Sequence, residues 1–218
     1  MKTIKIISFL LIAAALCACS GTRQLADGGE DFKKQGKEPA RNYPVFLQGD
    51  KNSVAFKLNI KYPGQEFNAA LTINKASEDA FKIKVLADFA TVVIDADFID
   101  GQMRYKYVLG NMFDKKALDV FESIMRVLLV PPQDFIRASD LPDGQTQVNY
   151  RSGDFMNRYY FKKGISFPYK MEQTKITLRK KCSFNDYDVY DDTSLPAKIV
   201  CEESPNIVAI TLTLINIK

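Results

Sequence analysis

The sequence predicts a mainly β fold of the α+β class, with about ten to eleven antiparallel strands in a barrel or strongly curled sheet and one apolar helix packed against it. Three observations point there. Apolar and polar residues alternate with period two over most of the chain from Ser53 to Ile217, which is the spacing of half-buried strands. Turn signals such as Pro63-Gly64, Asp100-Gly101 and Asp143-Gly144 separate the runs, and such short connections join antiparallel neighbours. One run alone, between Asp114 and Pro131-Pro132, has its apolar residues at helical spacing. A sheet with this many strands curls or closes.

Before the fold comes an export segment. Lys2 and Lys5 precede an apolar run, Ile6 to Ala15, and then Leu16-Cys17-Ala18-Cys19. A basic start, a short apolar stretch and small residues before a cut make a secretory signal. The run is too short to cross a bilayer, which takes about 20 apolar residues. Leu-x-Ala-Cys resembles the bacterial lipobox, although Cys17 replaces its usual Ser, Thr or Gly. That resemblance implies removal of residues 1–18 and acylation of Cys19, whose thiol accepts a diacylglycerol. Long acyl chains such as palmitate anchor firmly, because each buried methylene contributes about 0.8 kcal/mol. Ser20, where inner-membrane lipoproteins carry aspartate, implies the outer membrane of a Gram-negative envelope. Residues 19–45 are polar, with Gly28-Gly29, Gly36 and Pro39, and read as a flexible tether. Residues 46–218 are long enough for one domain with a sizeable core.

The first strands form a meander. Val54, Phe56, Leu58, Ile60 and Tyr62 alternate with polar residues, and after Pro63-Gly64 so do Phe67, Ala69, Leu71 and Ile73. Phe81, Ile83, Val85, Ala87 and Phe89 give a third strand, and Val92, Ile94, Ala96 and Phe98 a fourth. Asp100-Gly101 turns into a fifth with Met103, Tyr105 and Tyr107.

Asp114 is placed to cap the helix. Ala117, Leu118, Val120, Phe121, Ile124, Met125 and Leu128 make its apolar face, and Pro131-Pro132 stops it. Lys115, Lys116, Asp119, Glu122, Ser123 and Arg126 are expected to face solvent. Strands resume at about 145–150, 155–163, 169–182, 184–190, 197–203 and 206–217. The last is apolar on both sides, as for a strand buried on both faces or near a barrel seam.

Cys182 and Cys201 lie symmetrically about Asp191-Asp192. A hairpin turning there sets them opposite one another, at a separation a disulfide accepts. The alternative is two free buried thiols; an oxidising compartment favours the bond.

Composition excludes much chemistry. The chain has no histidine, so Ser-His-Asp, Cys-His and His-metal arrangements are absent. No phosphate loop or nucleophile elbow occurs. The Asp186, Asp188, Asp191, Asp192 cluster lacks the glycine and glutamate of a calcium loop and reads as a solvated hairpin tip. Asp95 and Asp97 share a wet outer face. No enzyme, metal or cofactor is expected. Charge is nearly balanced, 30 basic against 26 acidic, with no basic patch for nucleic acid.

The lipobox, tether, opening strand Phe56-Lys57-Leu58-Asn59-Ile60, embedded helix, late Leu195-Pro196-Ala197-Lys198-Ile199 segment and final strand together resemble the LolA/LolB-like lipoprotein superfamily over about residues 50–218. The resemblance implies an unclosed antiparallel half-barrel with the helix in its mouth. It also implies a hydrophobic ligand, lipid or lipoprotein acyl chains, held between sheet and helix. The candidate cavity residues are Phe56, Leu58, Phe67, Leu71, Phe81, Ile83, Val85, Ile94, Phe98, Tyr105, Leu118, Phe121, Met125 and Leu128. These residues either fill the interior or line a hollow in it; an apolar interior underfilled by one helix stays dry and suits acyl chains. The expected role is an outer-membrane-anchored, periplasm-facing carrier in lipid or lipoprotein trafficking or envelope biogenesis. The alternative is a non-catalytic assembly lipoprotein that engages an envelope protein partner through its surface.

Overall fold

The structure, a computed structural model, describes residue 47 and residues 51–110, 113–165, 167–190, 193–205 and 208–218. The export segment, Cys19, the tether, and Asp191 and Asp192 lie outside the described residues. The first meander is β1 (Ser53–Tyr62), β2 (Gln65–Ser77), β3 (Ala80–Leu86), β4 (Val92–Ile99) and β5 (Gln102–Val108). Helix α1 (Lys115–Leu129) follows. Then come β6 (Phe135–Asp140), β7 (Thr146–Ser152), β8 (Phe155–Phe161), β9 (Pro168–Thr174), β10 (Arg179–Tyr190), β11 (Thr193–Ser204) and β12 (Val208–Ile217).

All strands join one antiparallel 12-stranded sheet in the order β5-β4-β3-β2-β1-β12-β11-β10-β9-β8-β7-β6. The two meanders meet where β1 pairs with β12, Phe56 opposite Leu214 and Leu58 opposite Leu212. The sheet is unclosed, with β5 and β6 as its edges, and α1 is the segment that connects those edges along the chain.

Alternation decides which face is inner. Val54, Phe56, Leu58 and Ile60 of β1, Ile83 and Val85 of β3, and Val208, Ile210 and Leu212 of β12 are all buried. Their neighbours in sequence are half-buried or exposed. On the outer face Asp95 pairs with Lys84 at 3.5 Å and Asp97 with Lys106 at 2.6 Å. Asp100 and Gly101 both have positive φ, 53° and 75°, as the tight β4–β5 hairpin requires.

Helix α1 forms as its sequence dictates. The Asp114 carboxylate accepts the Ala117 N–H at 2.7 Å, satisfying one of the first-turn donors. Val120, Phe121, Ile124, Met125, Leu128 and Leu129 are buried. Ser123 departs from the solvent-facing expectation, and Arg126, with its side chain still partly exposed, is also tied to the sheet. The Ser123 hydroxyl donates to Glu203 of β11 at 3.2 Å, and Arg126 Nε donates to the Gly101 carbonyl at 2.8 Å.

Four strand expectations are corrected. Strand β6 was not anticipated, because an edge strand with only Phe135 buried carries almost no alternation. The expected strand 169–182 is two strands. Lys175 and Leu178 exchange backbone hydrogen bonds of 2.9 and 3.1 Å, closing a turn that contains no glycine or proline. Strand β3 stops at Leu86, so Phe89 is not a core residue; it sits at φ 57° in a short 3-10 turn, fully exposed. Finally, of the two readings of β12, burial on both faces is corrected, since Thr213 and Ile215 are exposed, and the strand lies beside β1 where the two meanders meet. Its central place beside β1 and β11 covers only its inner side.

Cys182 and Cys201 stand directly opposite in the β10–β11 register and form a disulfide with a sequence separation of 19. Closing a loop of that size stabilises by about 3 kcal/mol in the chain-entropy picture. The Cys182→Ala/Cys201→Ala double variant is therefore expected to lose about 3 kcal/mol in urea unfolding. Reductant should weaken the parent chain by a similar amount and leave the double variant unchanged.

Candidate functional site

The sequence-predicted cavity residues gather in one hydrophobic cluster. Phe56, Leu58, Leu71, Phe81, Ile83, Val85, Ile94, Phe98, Phe121, Met125 and Leu128 are buried in it, and Phe67, Tyr105 and Leu118 pack partly buried against it. They come from β1–β5 and from the face of α1 that lies against β5 and β12. Phe67 meets Phe113 edge-on at 5.2 Å, and the Tyr105 hydroxyl donates to the Leu118 carbonyl at 3.2 Å. None of these residues is among those lining the two clefts described next.

The inner cleft lies on the other half of the sheet. It has a volume of about 380 Å³ and opens between the C-terminal end of α1, the β4–β5 turn and the inner face of β7–β9. Val127, Val130, Phe155, Tyr159 and Met171 give it apolar walls; Asp100, Gln102, Arg126 and Gln133 at its helix and turn side, and Ser152, Asn157 and Gln173 on the sheet, bring polar groups to it. The volume is at the low end for small-molecule sites, roughly 300–1,000 Å³.

Strand register explains the polar part. Asn157, Gln173, Lys180 and Glu203 are directly opposite one another on β8, β9, β10 and β11, and all are buried. Each is in phase with inward apolar neighbours: Asn157 with Tyr159 and Phe161, Gln173 with Met171, Lys180 with Cys182, and Glu203 with Cys201. The sequence therefore signalled them as buried polar residues, but only to a reading that follows strand phase and does not stop at residue type.

The row is linked by one ion pair and a chain of hydrogen bonds. Glu203 lies 3.7 Å from the Lys180 ammonium, which donates to Gln173 Oε1 at 3.1 Å. Gln173 Nε2 donates to Asn157 Oδ1 at 2.9 Å, and Asn157 Nδ2 to the Ser152 hydroxyl at 3.0 Å. Ser123 ties Glu203 to α1. Burial pushes the Lys180 ammonium down from the usual 10.5 to about 8; Glu203 opposes the shift and Arg126 adds to it. Burial also raises the Tyr159 hydroxyl.

A larger groove of about 1120 Å³ lies at the strand ends and is lined by Arg158, Glu172, Lys181 and Glu202, with Tyr62, Pro63 and Ile176 at its sides. Those four charged residues form an alternating-sign row across β8–β11, one residue out of phase with the buried row and so on the outer face. Burial would raise the Glu172 carboxyl, but bonds from Lys170 and Tyr160 outweigh it and hold the group lowered. The groove is bigger than the inner cleft and is also reached by Lys180, Glu203 and Val208, but an acyl chain in it would lie against ionised side chains, which is unfavourable. Among the described residues there is no group of three or more His, Cys, Asp or Glu side chains able to hold a metal. Among the same residues, no helix is long and apolar enough to cross a membrane.

No known family pattern matches the sequence, and no curated protein matches it. Solved structures do. A LolA superfamily protein from Nitrosomonas europaea superposes with a TM-score of 0.53 at 13% identity, covering 80% of this chain and 88% of that one. A domain named for outer-membrane lipoprotein sorting, from Vibrio parahaemolyticus, matches with a TM-score of 0.46 at 9% identity, over 77% and 84%. A DUF1329 family protein from Desulfovibrio piger matches with a TM-score of 0.44 at 7% identity, over 78% and 86%. The first of these likenesses is one of fold: an unclosed curled sheet with a helix, as in LolA-like proteins.

Removing one partner of a buried ion pair typically costs about 3–5 kcal/mol, whereas an apolar replacement of both is often neutral. Glu203→Ala is expected to lose at least about 3 kcal/mol, and Lys180→Met/Glu203→Leu to recover most of it. The native state sheds the Lys180 proton near pH 8 while the unfolded chain holds its own up to about 10.5. Between these values the unfolded state binds more protons, so stability rises with pH. Urea unfolding from pH 7 to 10.5 should show this rise in the parent chain and lack it in Lys180→Met.

Proposed function

We propose that this chain is an outer-membrane-anchored, periplasm-facing lipoprotein that carries a hydrophobic ligand, a lipid or the acyl chains of a lipoprotein, in envelope trafficking or biogenesis. The single observation that carries the reading is the inner cleft. Helix α1 is packed onto β5 and β12, and apolar side chains of β8 and β9 face the helix end across unfilled space. A concavity in which apolar walls meet convergent polar groups is a form that small-ligand sites take. The acylated Cys19 would hold the domain at the membrane that supplies or receives the ligand, and the 19–45 tether would set its reach. The LolA-like fold, shared by a protein grouped with that superfamily, agrees with such a role.

Native mass spectrometry tests this on the exported chain carrying Cys19→Ala, so that no acyl group of its own competes. A lipid-sized mass is expected to co-purify. Val127→Trp, which puts an indole into the cleft from a half-buried helix position, should expel that mass and move the melting midpoint by only a few degrees, about 1 kcal/mol. A folded parent chain that stays empty when offered Escherichia coli-type phospholipid or long-chain fatty acid contradicts the carrier and favours the assembly role.

A further inference from the structure

The buried row has a direction, and the direction says what kind of head group the inner cleft accepts. A lysine ammonium can only donate. Lys180 therefore turns the oxygen of Gln173 toward itself, which turns the Gln173 nitrogen toward Asn157 Oδ1. Asn157 in turn points its nitrogen at Ser152 Oγ, so the serine accepts and its own proton is free to donate elsewhere. Each amide nitrogen carries two hydrogens and uses one within the row. Beyond these bonds the side chains of Ser152, Asn157 and Gln173 make no other hydrogen bond among the described residues. All three line the inner cleft, with Asn157 and Gln173 only 4% and 9% exposed. Each oxygen already accepts one bond within the row, while the second hydrogen of each amide and the serine proton are left to donate. Buried donors without acceptors are costly and uncommon, and a ligand that brings an acceptor removes the cost.

Resting on the carrier reading, we propose that Gln173, Asn157 and Ser152 form a recognition site for the head oxygen of an acyl compound, a carboxylate or an ester carbonyl. The chain next to that oxygen lies against Val127, Val130, Phe155, Tyr159 and Met171. The site selects acyl acids and acyl esters over equally long chains whose head has no acceptor. An ester carbonyl and a free carboxylate share this chemistry.

Isothermal titration calorimetry of the full exported chain with Cys19→Ala tests the site, using three 12-carbon ligands below their micelle concentrations. These are dodecanoate, 1-monododecanoylglycerol and dodecyltrimethylammonium, whose head lacks any acceptor. The two acyl ligands, or one of them, should bind about 10-fold or more tighter than the ammonium, the gain expected of one or two hydrogen bonds. Tight binding by dodecanoate alone marks a free-acid site, and binding by both marks the shared carbonyl oxygen. Asn157→Asp replaces a donor by an acceptor and should erase most of that preference. Ser152→Ala, at the half-buried end of the row, should reduce it about threefold and covers the case in which the aspartate variant does not fold. Equal affinity for all three ligands, or a preference for the ammonium, overturns the head-oxygen site and leaves the carrier standing. Absence of binding by all three overturns both.

Discussion

One helix has to cover the inner face of twelve strands, and it is not long enough. At 15 residues α1 is about 22 Å long, and it lies against β5 and β12. Its apolar stripe, Val120 to Leu129, completes a packed core with β1–β5. On β7–β9 Val148, Tyr150, Phe161 and Met171 are buried in the same core, and a cleft is left where that inner face meets the helix end and the segment after it. The rest of the structure follows from that shortfall: a solid half, a half with a cleft, and a buried polar row between them.

In the second half a buried polar row lies beside the apolar core. Asn157, Gln173, Lys180 and Glu203 satisfy one another across four strands, and Ser123 and Arg126 link the helix to Glu203 and to the β4–β5 turn. A buried polar network that links strand to strand fixes register and helix position more specifically than apolar contact does. The adjacent row, Tyr159, Met171, Cys182, Cys201 and Ile210, is apolar and carries the disulfide. The two rows thus brace β8–β12 by different means, one electrostatic and one covalent.

Much of this was legible in the sequence. The fold class, the β1–β5 meander, the Asp114 cap, the helix face and the Cys182–Cys201 pair all rest on local signals: alternation, turn residues, capping chemistry and symmetry about a hairpin tip. What was not legible depends on partners distant in sequence. Strand β6 shows little alternation because it is an edge. The Lys175–Leu178 turn has no special residue because backbone bonds alone close it. Phe89 kept the phase of β3 on paper, but the chain turns before reaching it. The apolar residues expected to line a cavity were the most regular in the sequence, and regular residues pack well. The cleft lies where apolar regularity is broken by Asn157 and Gln173, whose polar side chains mark no inner face by residue type alone.

The account stands on an acyl chain lying between the end of α1 and the inner face of β8 and β9. The most direct measurement is photo-cross-linking with a fatty acid carrying a diazirine along its chain, followed by peptide mapping of the labelled protein. Labels on Val127, Val130, Phe155, Tyr159 or Met171 are the predicted result. Labels confined to the outer charged groove, or no saturable labelling of a folded chain, would contradict it.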